Sequence, residues 1–408
     1  MPKLSLALFL AGLVTIARAQ PYSLLIRGGY VVDPKTNLHD TLDIAVDNGR
    51  IMRIAKHIDP AQAANIIDAR DAIVCPGLID VHTHVFFGSD PDREYAGGTE
   101  GVVPDNFAPK EGVTTVVDAG SSGWRDFEVF KRRVIDRSHT RVLAFLNIVG
   151  AGMRGGPYEQ DTTDMNDSLA AAKARQYKTC IVGFKVAHYR GGDWRPVDAA
   201  VEAGNRARLP VMIDFGEHQP ELSIRELFLK HLRPGDIFTH CFAQLSDREP
   251  IVDTVTKKLK PFVLRAQQKG IRFGVGYGEI SFAFSQAVPA IRSGFRPNSI
   301  SSDIHRGNSA VTLPDILSRF LAMGLDAATV IRLSTWDAAK EIHRPDLGHL
   351  SQGGIADIAI LRVLNGHFEF SDHSGHHIRA TRRFECLMTI RNGKVEYDRL
   401  LPKFTTHS

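Results

Sequence analysis

From residue 78 to about residue 302 the chain alternates short apolar, β-branched runs with longer amphipathic stretches. The apolar runs fall at 78–81, 114–117, 142–148, 181–186, 211–215, 237–239, 273–275 and 299–302. Runs this short and this continuously apolar read as parallel strands covered on both faces. Between them, "DSLAAAKARQYKT", "PVDAAVEAGNRAR" and "LPDILSRFLAMG" carry apolar residues at helical spacing. Eight strands interleaved with helices predict an α/β fold, a (β/α)8 TIM barrel spanning residues 78–344. A doubly wound open sheet is the alternative, but no Gly-x-Gly-x-x-Gly opens its first helix.

The flanks have a different texture. Residues 20–77 read as short strands joined by turns, with Asp47-Asn48-Gly49 as a hairpin signal. Residues 345–408 repeat that texture, again with an Asn-Gly pair at Asn392-Gly393. The two ends are therefore expected to combine into one small β-sandwich. The first 19 residues stand apart: Lys3, the apolar stretch "LSLALFLAGLVTIA" and the Ala-Arg-Ala ending at Ala19. A basic start, a short apolar segment and a small-residue end predict a secretory signal peptide, cleaved near Ala19. The mature chain would then be exported, periplasmic or secreted, with no membrane span.

Composition narrows the partners. With 408 residues, 43% hydrophobic and 24% charged, the chain has the make-up of an ordinary globular protein. Its formal net charge is only +4, and Lys and Arg are spread along it, which gives no case for nucleic acid. A small-molecule substrate is the expected partner, and a homo-oligomer is compatible with the composition. The four cysteines, Cys75, Cys180, Cys241 and Cys386, show no Cys-x-x-Cys spacing; three sit in or beside apolar runs, which suits buried thiols, and a disulfide in an exported protein stays open with no pair assigned.

In a barrel of this kind the chemistry lies at the C-terminal ends of the strands. The first ends in "GLIDVHTHVFFG", where His82 and His84 are two apart on an extended segment and share a face, a chelating arrangement for one metal ion. The sixth ends in "DIFTHC" and offers His240; the eighth ends in "SISSDIHRGN" and offers Asp303. Singly, such residues are more often a satisfied histidine and a turn or cap aspartate. Lys185 sits inside the apolar run of "CIVGFKVAHY", where an uncompensated ammonium costs several kcal/mol. It makes sense if it pairs with a carboxylate, or if its amine has been converted to an anion.

The segments "PGLIDVHTH", "GVTTVVDAGSSG", "VGFKVAHY", "FTHCF" and "SSDIH" occur in an order that resembles the amidohydrolase superfamily, in particular its deacetylase-type and dihydroorotase-like metallohydrolases. The resemblance covers nearly everything after the apolar N-terminus, split sandwich included. It implies a binuclear metal centre with zinc, or else manganese or iron. His82 and His84 match the pair on the more buried metal, Lys185 the lysine whose carbon dioxide-derived carbamate bridges two metals, His240 a ligand of the second metal, and Asp303 a ligand of the first that also shuttles a proton. Two divalent ions sharing a water would lower its pKa and give an attacking hydroxide, with Asp303 as catalytic acid–base.

One departure stands out. Where the family pattern ends the fifth strand in a histidine, this chain has Asp214, in "VMIDFGEH". Either Asp214 replaces it as an oxygen ligand, or His218 reaches the metal from the turn, or the second site is weakened. Asp214 is favoured, because it is in register with the strand end. Two divalent ions bring four positive charges; carbamate, Asp303 and hydroxide offset three, and Asp214 a fourth, so a neutral cluster and a weaker Lewis acid are expected. His188, Tyr189, Arg190, Tyr277 and Arg306 are candidates for the substrate mouth, each equally readable as a loop residue without a role; Ser121 and Ser122 carry the same ambiguity. The expected reaction is hydrolysis of an amide, or an ester, of a small acylated compound such as an N-acyl amino acid. The alternatives are a cyclic-amide hydrolase of the dihydroorotase or hydantoinase kind, or a metal-free, non-catalytic binding protein.

Overall fold

The computed structural model describes residues 20–88, 101–214, 222–246, 248–278 and 280–399, and everything below concerns these. The expected signal peptide and His218 lie outside them.

Five strands open the chain: β1 (Leu24–Asp33), β2 (Leu38–Asp47), β3 (Arg50–Ala55), β4 (Ile66–Asp68) and β5 (Ile73–Pro76). Seven more follow with helices between them: β6 (Leu78–Thr83), β7 (Val113–Gly123), β8 (Arg141–Asn147), β9 (Ile181–Val186), β10 (Val211–Ile213), β11 (Ile237–Phe238) and β12 (Arg272–Phe273). The last three are β13 (Ile358–Ser371), β14 (His377–Arg391) and β15 (Lys394–Asp398).

The first and last groups share one eight-stranded sheet, in which β5 pairs antiparallel with β13, Val74 opposite Ile360. Both Asn-Gly pairs form two-residue hairpin turns with positive φ at each position, 47° and 72° at Asn48-Gly49 and 50° and 77° at Asn392-Gly393. The two turns meet: a Cβ on Gly49 would stand 2.5 Å from Asn392 Oδ1. Ile26, Ile44, Val46 and Val74 from one end of the chain and Ile358, Ile360 and Ile390 from the other bury one shared core.

Strands β6 to β12 form a parallel sheet in chain order. The eighth expected strand, around residues 299–302, is not a regular strand. It is joined by single bridges to Gly274 on one side and, through Ile304, to Thr83 on the other, and so closes the ring. The reason lies in Asp80, whose carboxylate accepts the Ser302 N–H at 3.0 Å and its hydroxyl at 2.5 Å, where a ladder partner would stand. Ile79, Val117, Leu143, Phe145, Val182, Met212 and Ile237 fill the interior, joined by Ala338 and Ala339 of the helix Trp336–Glu341. The barrel is thus packed below its strand ends, as expected of this fold. None of the helices among the described residues is long and apolar enough to cross a membrane.

Candidate metal centre

Strand parity decides which side chains reach the centre. On β10, Val211 and Ile213 pack in the outer cluster under the helices, so Met212 and then Asp214 face inward. On β9, Phe184 and Val186 point outward and Lys185 inward, opposite Met212 in the ladder. On β6 a register shift intervenes: Asp80 pairs with Val116 but Thr83 with Asp118, one extra residue on β6. The bulge changes parity, so His82 and His84 are aimed inward although Ile79 and Val81 also line the interior.

Six of the residues singled out in the sequence come together. Asp303 Oδ1 lies 3.4 Å from His82 Nε2 and 3.1 Å from His84 Nε2, while its Oδ2 lies 4.0 Å from His240 Nε2. Asp214 Oδ2 lies 3.3 Å from His240 Nε2 and 3.9 Å from Lys185 Nζ. Lys185 is fully buried, its Nζ 3.2 Å from His82 Nε2. His240 and Asp303 both adopt a left-handed backbone with φ of 53°. Two glycines let the backbone pass close by: a Cβ on Gly276 would stand 2.8 Å from His240 Nδ1, and one on Gly278 2.5 Å from Asp303 Oδ2.

The imidazoles are oriented from behind. His82 Nδ1 lies 2.9 Å from Thr239 Oγ1, His84 Nδ1 3.0 Å from Ser121 Oγ, and His240 Nδ1 2.7 Å from the Gly276 carbonyl. A carbonyl only accepts, so His240 carries its proton on Nδ1 and, when neutral, presents a lone pair on Nε2. Bonds of about 2.1 Å to a tetrahedral ion set neighbouring ligand atoms about 3.4 Å apart. The carboxylate–imidazole separations of 3.1–3.4 Å fit that spacing and are longer than a charge-assisted hydrogen bond of about 2.7–2.9 Å. His82, His240 and Asp303 offer ligand atoms all within 4.8 Å of one another. The donor set fits divalent metal.

Charge follows burial and neighbours. Burial lowers the Lys185 pKa towards a neutral amine, against the pull of Asp214 and Asp303. Burial would raise Asp214, but His240 and Lys185 outweigh it and hold the carboxyl well below the usual range. The same contest at Asp303 is won by His82, His84 and His240, which keep it ionised. His82 is driven towards the neutral ring by burial and by Lys185.

The candidates for the mouth separate. His188 lies at the edge of the centre, half-exposed, its Nε2 3.8 Å from Asp214 Oδ2 and its Nδ1 2.7 Å from Glu159 Oε2. Its burial opposes charging, yet the Glu159 hydrogen bond and the Asp214 charge raise it to about 9. Tyr189 is buried and donates to Asp193 at 3.2 Å, lining with Trp194 and Leu222 a small cleft that reaches Asp214. Arg190, on a loop, and Arg306, at the start of the short turn Arg306–Asn308, are exposed. Tyr277 is not brought to the centre. It lies between Gly276 and Gly278, whose backbones face the ligands, so its ring turns to the outer core against Phe282, at 5.1 Å, and under Arg319, at 5.0 Å.

Two residues had no signal in the sequence. Arg248, 4% exposed, directs Nη1 at Asp214 Oδ1 (3.6 Å) and donates Nη2 to the Thr239 carbonyl (2.7 Å). Glu159 belongs to the one-turn helix Pro157–Gln160, whose position in a long loop gives no periodicity to read.

No family model matches the chain. It is similar to a protein named deacetylase from Brucella anthropi, 31% identical over 358 residues, which cover 85% of each chain. Among solved structures it is similar to one described as an adenine deaminase, with a TM-score of 0.82, 27% identity and coverage of 92% of this chain and 100% of that one. Another, described as a dihydroorotase, has a TM-score of 0.78, 26% identity and coverage of 91% and 98%. With that identity over that span, and with this barrel and donor set, the chain belongs to the amidohydrolase superfamily of hydrolases that act on carbon–nitrogen bonds other than peptide bonds.

Proposed function

We propose that this amidohydrolase uses two divalent ions, zinc before manganese or iron, to hydrolyse the amide bond of a small acylated substrate such as an N-acyl amino acid. His82, His84 and Asp303 would hold the first ion and Asp214 and His240 the second, with Lys185 between them as a carbamate. Burial favours the neutral Lys185 amine, the form that attacks carbon dioxide, and the anion so formed belongs beside two cations. When bound, the ions supply an acidified water and polarise the scissile carbonyl.

The observation that carries the reading is the placement of Asp303. One oxygen faces His82 and His84 and the other faces His240, so a single carboxylate spans both halves of the centre. From there it would accept a proton from the attacking water and deliver it to the leaving nitrogen. The packed interior below it excludes bulk water, leaving the mouth near His188 as the side from which substrate enters.

A cyclic-amide substrate is the second reading, favoured by the similarity to the protein described as a dihydroorotase. The centre itself would serve both. A metal-free binding role is disfavoured, because such a protein has no use for three imidazoles with their Nδ1 atoms fixed from behind. The N-terminal "LSLALFLAGLVTIARA" supports export after cleavage near Ala19. A screen of N-acyl amino acids against dihydropyrimidines and hydantoins, with zinc or manganese and bicarbonate, tests the reading. Turnover confined to the cyclic substrates would replace it with the second, and none of any amide would refute both.

A further inference from the structure

The second half of the centre holds an imidazole that the substrate-mouth reading leaves unexplained. His188 Nε2 points at Asp214 Oδ2, at 3.8 Å, while Nδ1 lies 2.7 Å from Glu159 Oε2. Glu159 is 3% exposed, and its other oxygen accepts the Gly155 N–H at 2.7 Å, so the carboxylate is fixed. A carboxylate accepts and does not donate; in the neutral ring the proton is therefore on Nδ1 and the lone pair on Nε2. A carboxylate behind one ring nitrogen, with the other nitrogen facing a ligand cluster, is the usual support of a metal-bound histidine.

The backbone is held for the same purpose. His188 has a φ of 53°, left-handed and strained for a residue with a Cβ. Gln160 clamps it: Nε2 donates to the His188 carbonyl at 2.7 Å, and Oε1 accepts the Arg190 N–H at 2.8 Å. Asp214 divides its two oxygens accordingly. Oδ1 faces Arg248, and Oδ2 faces His240, His188 and Lys185 at 3.3, 3.8 and 3.9 Å. Through Nδ1 His188 is ion-paired with Glu159 at 2.7 Å, which favours the charged ring, so metal binding would release the Nε2 proton. Towards Asp214, at 3.8 Å, Nε2 stands about 1 Å beyond a charge-assisted hydrogen bond.

We infer that His188 is a ligand of the second metal ion, supplied by the loop after β9 in place of the histidine that β10 lacks, with Glu159 as the carboxylate that orients it. The assignment rests on the two-ion reading above. It gives the second ion two imidazoles, Asp214 Oδ2 and carboxylated Lys185, so the aspartate at the end of β10 is accompanied by a histidine displaced to another loop.

The test compares wild type, His188→Ala and Glu159→Gln, each with its fold verified by thermal melting. Zinc and cobalt(II) are titrated in bicarbonate, bound metal is counted by mass spectrometry, and second-site affinity is measured against a competing chelator. The cobalt(II) absorption spectrum reports the ligand field without reference to activity. Wild type is expected to bind two ions. His188→Ala should keep the first and bind the second at least tenfold more weakly, with an altered cobalt spectrum, and Glu159→Gln should weaken the second site by ~10–100-fold. Where His188→Ala melts early, the near-isosteric Glu159→Gln decides. Second-site affinity within twofold of wild type and an unchanged spectrum in both variants would overturn the assignment and leave the two-ion reading intact. Wild type that binds no second ion would overturn both.

Discussion

The two halves of the proposed metal centre are built differently. In the first, His82 and His84 come from one strand, are re-aimed by one bulge and meet a single oxygen of Asp303 at 3.4 and 3.1 Å. In the second, Lys185 comes from within β9, but the other contributors sit at chain bends: Asp214 follows a three-residue strand, and His240 and His188 each have a φ of 53°, as Asp303 does in the first. Strand periodicity places ligands cheaply but only two residues apart. A site assembled from loop residues needs strained backbone and supporting side chains, and can therefore be rebuilt by moving one ligand to another loop. The electrostatics differ as well. Four anionic groups would leave two divalent ions neutral, but the buried guanidinium of Arg248 beside Asp214 returns one positive charge, so the carboxylate need not blunt an ion bound there.

The largest expected effect falls where the halves meet. Asp303→Asn should lower kcat by ~10³-fold or more, because in the proposed mechanism it removes a proton carrier and a ligand oxygen together. Wild-type rates for Asp303→Asn in steady-state assays would break the comparison at its centre. Lys185→Ala should abolish activity in buffer alone, and short-chain carboxylates should restore part of it; full activity without rescue would show that no anion is needed between the halves.

Arg248→Met should act on the second half only. Taking the guanidinium from Asp214 and from the Thr239 carbonyl should weaken the second ion by ~10-fold and leave the first unchanged in a chelator titration. Equal weakening of both would mean that Arg248 holds the barrel rather than the site. Glu111, which makes no hydrogen bond or ion pair to the described ligand residues, supplies the smallest effect and a control. Burial raises it to about 8, against the Leu313 N–H it accepts at 2.7 Å. A carboxyl raised on folding binds its proton more tightly in the folded state, so its contribution to stability is complete below about pH 4.5 and is lost as pH rises towards 8. Glu111→Gln should flatten that slope in melting curves while leaving metal affinity unchanged.

What the sequence made legible follows the same divide. The alternation of apolar runs identified seven barrel strands and the paired ends of the sandwich, because continuous burial and Asn-Gly turns leave local marks. His82, His84, Lys185, His240 and Asp303 were readable because each ends or interrupts an apolar run. The eighth segment was misread as a regular strand, since the Asp80 carboxylate that ties down Ser302 comes from 222 residues away. Whether Tyr277 faced substrate stayed open in the sequence because the close backbone approach of Gly276 and Gly278, which turns its ring outward, depends on tertiary contacts. Arg248 occupies a loop and Glu159 a single helical turn within one, where a charged residue has no pattern to stand out from.

The claim on which the account turns is that Asp214 has taken over the ligand position at the end of β10. Metal content per chain, measured on zinc- and bicarbonate-loaded wild type and Asp214→Ala after removal of loosely bound metal, tests it most directly. Two ions in wild type and one in the variant are expected. Two tightly held ions in both would contradict it.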